Sequence, residues 1–254
     1  MNMKFLVISD IHSRAETLKL VPEDEDLACI CLGDICAGDP TGSGIAIDWL
    51  MEHEAICVMG SHDLPVVDDE ALERYRNREE TLRREGRGNP DLFRRFYNDA
   101  LRVRNGLSEA QLDFISSLPD LHTISCDGKT IHMIHNSLDT ELNRTGNRIV
   151  NTQVARYNFD SPSFTGDILL VGHSHIPLAY RMHDGEITET IFSDTGSIRL
   201  LEGRYIMNPG SLQRIRSNPR HNEKTKIFQG EERVSYGILD LTESTYTVHL
   251  VKPR

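Results

Sequence analysis

Short apolar runs alternate with polar segments along the first sixty residues. We predict buried strands over residues 4–9, 27–32 and 55–59, with short helices over 15–20 and 45–53 between them. The glycines at positions 42 and 44 are expected to interrupt the chain just before the second of these helices. Buried strands joined by helices are typical of parallel βαβ units, so the pattern indicates an α/β fold.

The next segment is helical in pattern and rich in charges of both signs. Residues 68–104 contain ten arginines, nine acidic residues and no lysine. Apolar residues recur at helical spacing, at Leu92, Phe93, Phe96, Tyr97, Ala100 and Leu101. Helix starts are indicated at Asn89, which a proline follows, and at Ser108, which forms a capping box with Gln111. We therefore expect a helical insertion at about residues 64–118 that forms a cap over the sheet and uses its apolar stripe for packing.

The rest of the chain shows mainly strand patterns. Two β-hairpins are predicted around Asp127-Gly128 and Asp184-Gly185, because this dipeptide favours tight turns. Their strands are expected over residues 121–126 and 130–135, and over 178–183 and from 186 onward. Further strands are predicted over residues 167–171, 236–239 and 245–251.

Composition narrows the class of protein. The chain has 254 residues, 38% of them hydrophobic, so we expect a single domain over residues 1–254 with the cap as an insertion. The net charge of −11 argues against binding to duplex nucleic acid. No run approaches the roughly 20 apolar residues of a membrane helix, and no signal peptide is recognisable. With five cysteines and no CxxC pair, we expect a cytoplasmic protein with reduced thiols and no membrane partner. The sequence does not determine the oligomeric state.

Five short motifs each follow a predicted strand. They are Asp10-Ile11-His12, Gly33-Asp34, Gly60-Ser61-His62-Asp63, His135-Asn136 and Gly172-His173-Ser174-His175. In an α/β sheet the loops at the carboxyl ends of the strands share one crevice, so these motifs are expected to converge. Any one of them alone has an ordinary explanation as a turn, whereas the ordered set indicates a single site.

The side chains in these motifs suit a pair of metal ions. Two carboxylates and four imidazoles are available, from Asp10, Asp34, His12, His135, His173 and His175. A mixed nitrogen and oxygen set favours manganese, iron, zinc or nickel over calcium. The remaining histidines outside the motifs are expected to be structural, at positions 53, 122, 132, 183, 221 and 249.

The motif order resembles that of the calcineurin-like metallophosphoesterases. The resemblance covers about residues 1–63 and 120–251, while the insertion lies outside it. The segment Asn208-Pro209-Gly210-Ser211 is similar to one in the small bacterial and archaeal phosphodiesterase branch. The resemblance implies a four-layer α/β/β/α sandwich.

The same resemblance implies a role for each motif residue. Asp10, His12 and His175 would hold the first metal, His135 and His173 the second, and Asp34 would bridge them. His62 would assist the leaving group, with Asp63 orienting its ring. Ser61 stands where the family usually has an asparagine ligand to the second metal, so that metal is expected to bind more loosely.

The function implied is hydrolysis of a phosphomonoester or phosphodiester by attack of a metal-bound hydroxide. The expected cofactors are two divalent transition-metal ions, manganese first, and the expected substrate is a small phosphate ester, nucleotides included. The alternative is a scaffold for protein interaction that keeps the fold without the activity. Two interpretations of the arginine-rich insertion also stay open, a solvated helical face and a cap that contacts substrate phosphate.

Overall fold

The computed structural model describes residues 3–138, 148–213 and 232–253 and contains twelve strands in two sheets. The strands are β1 Lys4–Ile8, β2 Leu27–Cys31, β3 Ile56–Cys57, β4 Leu121–Cys126, β5 Lys129–Ile134, β6 Ile168–Val171, β7 Pro177–His183, β8 Glu186–Ile191, β9 Gly196–Arg199, β10 Arg204–Pro209, β11 Val234–Asp240 and β12 Thr245–Val251. The α-helices are α1 Pro40–Glu52, α2 Leu64–Val67, α3 Asp69–Glu85, α4 Pro90–Gly106, α5 Glu109–Ser116 and α6 Thr152–Phe159, and Ala15–Leu20 is a 3-10 helix.

Both sheets mix parallel and antiparallel strands. The first sheet has the order β3-β2-β1-β11-β12-β9, and β1, β2 and β3 are parallel, as the sequence predicts. The second sheet has the order β4-β5-β6-β10-β7-β8, with β5, β6 and β10 parallel. Both predicted hairpins are present, and Asp127, Gly128, Asp184 and Gly185 all have positive φ, as such tight turns require.

Alternating side chains of the strands divide the hydrophobic core into layers. In β1, Phe5 and Val7 join a cluster that also contains Ile168 and Leu170 of β6, so this cluster lies between the two sheets. The intervening residues of β1 pack instead with α1, the 3-10 helix and the helices of residues 64–116. On the far side of the second sheet, Leu169 and Val171 pack with α6. The predicted four-layer α/β/β/α sandwich is therefore confirmed.

The start of α1 differs from the prediction. The helix begins at Pro40, so the glycines at 42 and 44 lie within its first turns and do not interrupt the chain. The carboxylate of Asp39 caps it by accepting hydrogen bonds from the backbone N–H of Thr41 and Gly42. A Cβ at Gly42 would lie 2.0 Å from the carbonyl oxygen of Ser13, so the glycine allows a close approach of two backbones.

We call the four helices α2–α5, residues 64–116, the cap segment. Its helix ends match the sequence signals: Asn89 caps α4 ahead of Pro90, Ser108 and Gln111 form the reciprocal capping box of α5, and α3 ends at left-handed Gly86. That this segment is an insertion into a single domain over residues 1–254 stays a prediction. None of the helices in the described ranges is long and apolar enough to span a membrane.

Candidate metal centre

The five motif loops converge at the carboxyl ends of β1, β2, β3, β5 and β6. Three groups of ligand-type atoms form there, each with its atoms within 4.8 Å of one another. They are Asp10, His12 and His175; Asp34, His135 and His173; and His12, Asp34 and His62. The six aspartate and histidine side chains expected to bind metal thus all enter the groups, whereas the other described histidines, apart from His62, do not. His221 lies outside the described residues.

In the first group, one carboxylate oxygen and two imidazole nitrogens face one another. The Nε2 atoms of His12 and His175 are 3.1 Å apart, and Asp10 Oδ1 is 3.0 Å from Nε2 of His175. The other oxygen of Asp10 accepts hydrogen bonds from the Ser9 hydroxyl and the His173 N–H. Oδ1 is buried and receives no well-formed hydrogen bond. A buried carboxylate oxygen without a donor, beside two converging nitrogens, fits a metal ligand set.

In the second group, a backbone contact fixes the ring of His135. Its Nδ1–H donates to the Leu32 carbonyl oxygen at 2.7 Å, which leaves Nε2 as the free, ligand-type nitrogen. That Nε2 lies 3.2 Å from Asp34 Oδ2 and 3.2 Å from Nδ1 of His173. A ring nitrogen held in this way by a carbonyl is the usual arrangement for a histidine that binds metal.

Asp34 lies between the two groups. Its Oδ2 is 3.6 Å from Nε2 of His12 in the first group and 3.2 Å from Nε2 of His135 in the second. Its Oδ1 accepts the backbone N–H of His62 at 2.7 Å, and the Ser61 hydroxyl lies 3.2 and 3.3 Å from the two carboxylate oxygens. One carboxylate can therefore serve both groups.

The backbone around these residues is strained. Positive φ angles occur at five of the six predicted ligands: Asp10 (54°), His12 (47°), Asp34 (55°), His173 (62°) and His175 (57°). Residues with a Cβ rarely adopt this region, and such strain is concentrated at functional sites. Glycine is needed beside them, because a Cβ at Gly60 would lie 1.9 Å from the Asp34 nitrogen.

The Asn208-Pro209-Gly210-Ser211 segment supports two of the metal loops, a role the sequence did not reveal. The Asn208 side chain is fully buried and donates to the Gly172 carbonyl oxygen at 2.6 Å and to the Ser174 hydroxyl at 3.0 Å. Its Oδ1 accepts the N–H of Gly210 at 2.8 Å. The Ser211 hydroxyl donates to the Asp10 carbonyl oxygen at 3.0 Å. The segment thus fixes the loops that carry the first and last motifs.

Asp63 does not orient the ring of His62, so that expectation is wrong. Both of its carboxylate oxygens accept backbone N–H groups, Oδ1 from Ile35 and Cys36 and Oδ2 from Gly60. Three backbone donors already occupy this fully buried carboxylate, so it holds the loop after Asp34 against the loop after β3. Burial, followed by the charge of Asp34, raises the pKa of Asp63 to about 6.

Burial and charge act against each other throughout this site. Burial disfavours the ionised forms of Asp10 and Asp34, but the neighbouring imidazoles outweigh it and hold both pKa values well below the ordinary range. For His135, the carboxylates of Asp34 and Asp10 outweigh burial and raise the pKa to about 10. Burial lowers the pKa of His62 to about 4 and, with the charge of His135, that of His173 to about 3. The rings of these two histidines are thus neutral near pH 7.

A cavity of about 400 Å³ opens above the metal groups. His12, Asp34, His62, His173 and His175 contribute to its lining, and the cap segment contributes Val66, Tyr75, Arg95, Phe96, Asp99, Ala100 and Val103. Phe96 and Ala100 belong to the stripe that was expected to serve packing, and the structure shows that both also line this cavity. Arg148 and Gln213, neither of which sequence reasoning identified, line it as well.

Comparisons of the sequence and the fold with known proteins identify the family of this chain. Residues 3–228 match the calcineurin-like phosphoesterase superfamily domain. An uncharacterized protein of Methanocaldococcus jannaschii is 26% identical over 263 aligned positions, which cover 97% of this chain and 85% of that protein. The fold is similar to a metallophosphoesterase from Sphaerobacter thermophilus, with a TM-score of 0.69, 24% identity and coverage of 100% and 90% of the two chains. It is also similar to a hypothetical protein from Pyrococcus horikoshii, with a TM-score of 0.60, 12% identity and coverage of 98% and 87%. The chain therefore belongs to the calcineurin-like phosphoesterase superfamily.

Proposed function

We propose that this protein is a dinuclear metal-dependent phosphoesterase that hydrolyses a small phosphomonoester or phosphodiester. The observation that carries the proposal is the position of Asp34, whose Oδ2 lies 3.6 Å from His12 Nε2 and 3.2 Å from His135 Nε2. A single carboxylate between two sets of imidazoles suits a pair of ions rather than one.

The proposed ligands divide between two ions as the Asp10 group and the His135 group do. Asp10, His12 and His175 would hold the first ion, His135 and His173 would hold the second, and Asp34 would bridge them. When bound, the two divalent ions would supply an activated water and neutralise charge on the phosphoryl oxygens. The mixed nitrogen and oxygen donors favour manganese, iron, zinc or nickel, and we propose manganese.

His62 is the proposed catalytic side chain that assists the leaving oxygen. Its ring is half-buried, lines the cavity and packs edge-on against both His12 and Phe96, with centroids 5.0 and 5.2 Å apart. Its backbone N–H is bound to Asp34, which fixes its place beside the proposed bridging ligand. From there the neutral ring can donate a hydrogen bond from its N–H to the departing oxygen.

The test is hydrolysis of bis(p-nitrophenyl) phosphate and p-nitrophenyl phosphate by protein reconstituted with manganese, combined with elemental analysis. We expect two ions per chain, activity that a chelator removes, and recovery when metal is restored. A protein that binds two ions but hydrolyses neither substrate, nor any member of a nucleotide panel, would contradict the enzymatic proposal and favour a scaffold. Binding of a single ion would contradict the bridging role of Asp34.

A further inference from the structure

The arginines of the cap segment are not equivalent. Six of those between residues 68 and 104 pair with acidic side chains, namely Arg76, Arg83, Arg87, Arg94, Arg102 and Arg104. Arg95 has no carboxylate partner within the described residues, and it lines the cavity above the metal groups. Of the ten arginines, it is the one that combines both properties within that part of the chain.

Three contacts between neighbouring side chains connect Arg95 to the metal centre. The guanidinium carbon of Arg95 lies 5.9 Å from the centre of the Phe96 ring. Phe96 packs edge-on against His62 at 5.2 Å, and His62 packs edge-on against His12 at 5.0 Å. Tyr75, whose ring lies 5.5 Å from that of Phe96, extends the same aromatic wall. Arg95, Phe96, His62 and His12 therefore follow one another along the lining of one cavity, at intervals of 5.0 to 5.9 Å.

The charge of Arg95 is available to a ligand. Asp99 is the carboxylate that the cap segment contributes to the cavity lining, and it lies 3.4 Å from Arg102 on the same helix. Arginine binds phosphate with paired, charge-assisted hydrogen bonds, which makes it selective for such groups. The cavity thus offers an anion site at its cap side in addition to the metal groups at its floor.

We propose that Arg95 determines specificity by binding a second phosphate group of the substrate, while the part that links the two phosphates packs against Phe96. The substrate class is then a phosphate ester or anhydride that carries a further phosphate. The proposal rests on the proposed function, because the first phosphate is taken to bind at the metal centre.

The experiment compares two ligands that cannot be hydrolysed, phenylphosphonate and 1,4-phenylenediphosphonate. Their binding to the manganese-loaded protein is measured by calorimetry. We expect the diphosphonate to bind about tenfold more tightly or better, beyond the statistical advantage of its two equivalent ends. Arg95→Ala should remove that gain and leave the affinity for phenylphosphonate unchanged. The matched control is Arg94→Ala, which changes the charge equally at the neighbouring position, where the arginine pairs with Asp91 at 3.2 Å.

Each outcome decides the matter. Equal affinity for the two ligands in the parent protein would overturn the role of Arg95. So would an equal loss of affinity for the diphosphonate in Arg95→Ala and Arg94→Ala. A protein that shows the Arg95-dependent gain but hydrolyses no phosphoester would keep the binding site and refute the proposed activity. If phenylphosphonate itself does not bind to the metal-loaded protein, both proposals fail together.

Discussion

Replacement of Asn208 by alanine tests whether the segment after β10 positions the metal ligands. The variant loses three buried hydrogen bonds, to the Gly172 carbonyl oxygen, the Ser174 hydroxyl and the Gly210 N–H. At about 1 kcal/mol for each bond, we expect the free energy of unfolding to fall by about 3 kcal/mol. For a chain of this length, that corresponds to a decrease in Tm of about 6–12 °C.

Tyr205→Phe provides the control. Tyr205 is also buried, and its hydroxyl forms two hydrogen bonds, with the N–H and the carbonyl oxygen of Leu201, at the start of β10 and away from the metal groups. We expect its free energy of unfolding to fall by about 2 kcal/mol when both variants are unfolded with urea in the presence of a chelator.

The two variants should differ in their affinity for metal. Asn208 fixes the loop that carries His173 and His175, and loss of such supporting contacts typically weakens metal binding about 10–100-fold. Calorimetric titration with manganese should show this decrease for Asn208→Ala and little change for Tyr205→Phe. The reasoning is refuted if both variants bind manganese equally well, because the loop would then hold its position without Asn208.

Three further variants test single residues. Ser61→Asn should lower the manganese concentration that gives half-maximal activity, because an amide oxygen would replace a hydroxyl that now contacts Asp34; an unchanged value would mean that serine suffices. His62→Ala should reduce the turnover number by about 10²–10⁴-fold with metal content unchanged in elemental analysis, whereas loss of metal would identify His62 as a ligand. Gly60→Ala should lower the free energy of unfolding in urea by about 1–3 kcal/mol, because the added Cβ would meet the Asp34 nitrogen at 1.9 Å, and normal stability would contradict this close approach.

The parts of the fold and site that depend on local sequence could be predicted. The continuous apolar run over residues 5–8 indicates a buried strand, and the Asp-Gly pairs indicate the hairpins. The convergence of the five motifs was predictable because each directly follows a strand whose carboxyl end points to the same crevice. Helix starts at Asn89 and Ser108 depend only on side chains within one turn, so they were predictable too.

Features that depend on tertiary contacts could not be predicted. His62 adjoins Asp63 in the sequence, which suggests a partnership. The carboxylate instead accepts three backbone N–H groups, two from the loop after Asp34 and one from Gly60 in its own turn. The stripe containing Phe96 indicates an apolar helix face without showing which part of that face borders a cavity. The sequence also does not show that Arg95 lines the cavity while Arg94 pairs with Asp91, because adjacent residues on a helix point about 100° apart and only the packing of the helix decides which of them faces the cavity.

The two groups proposed to hold an ion each combine residues that follow strands of both sheets. Asp10, His12 and Asp34 follow strands of the first sheet, whereas His135, His173 and His175 follow strands of the second. Each bound ion would therefore act as a cross-link between the two sheets. The free energy of metal binding would then contribute to the stability of the packing of one sheet on the other. Removal of metal with a chelator should then speed amide hydrogen exchange in the central strands of both sheets together. The metal content would thus affect the stability of the sandwich as well as its chemistry.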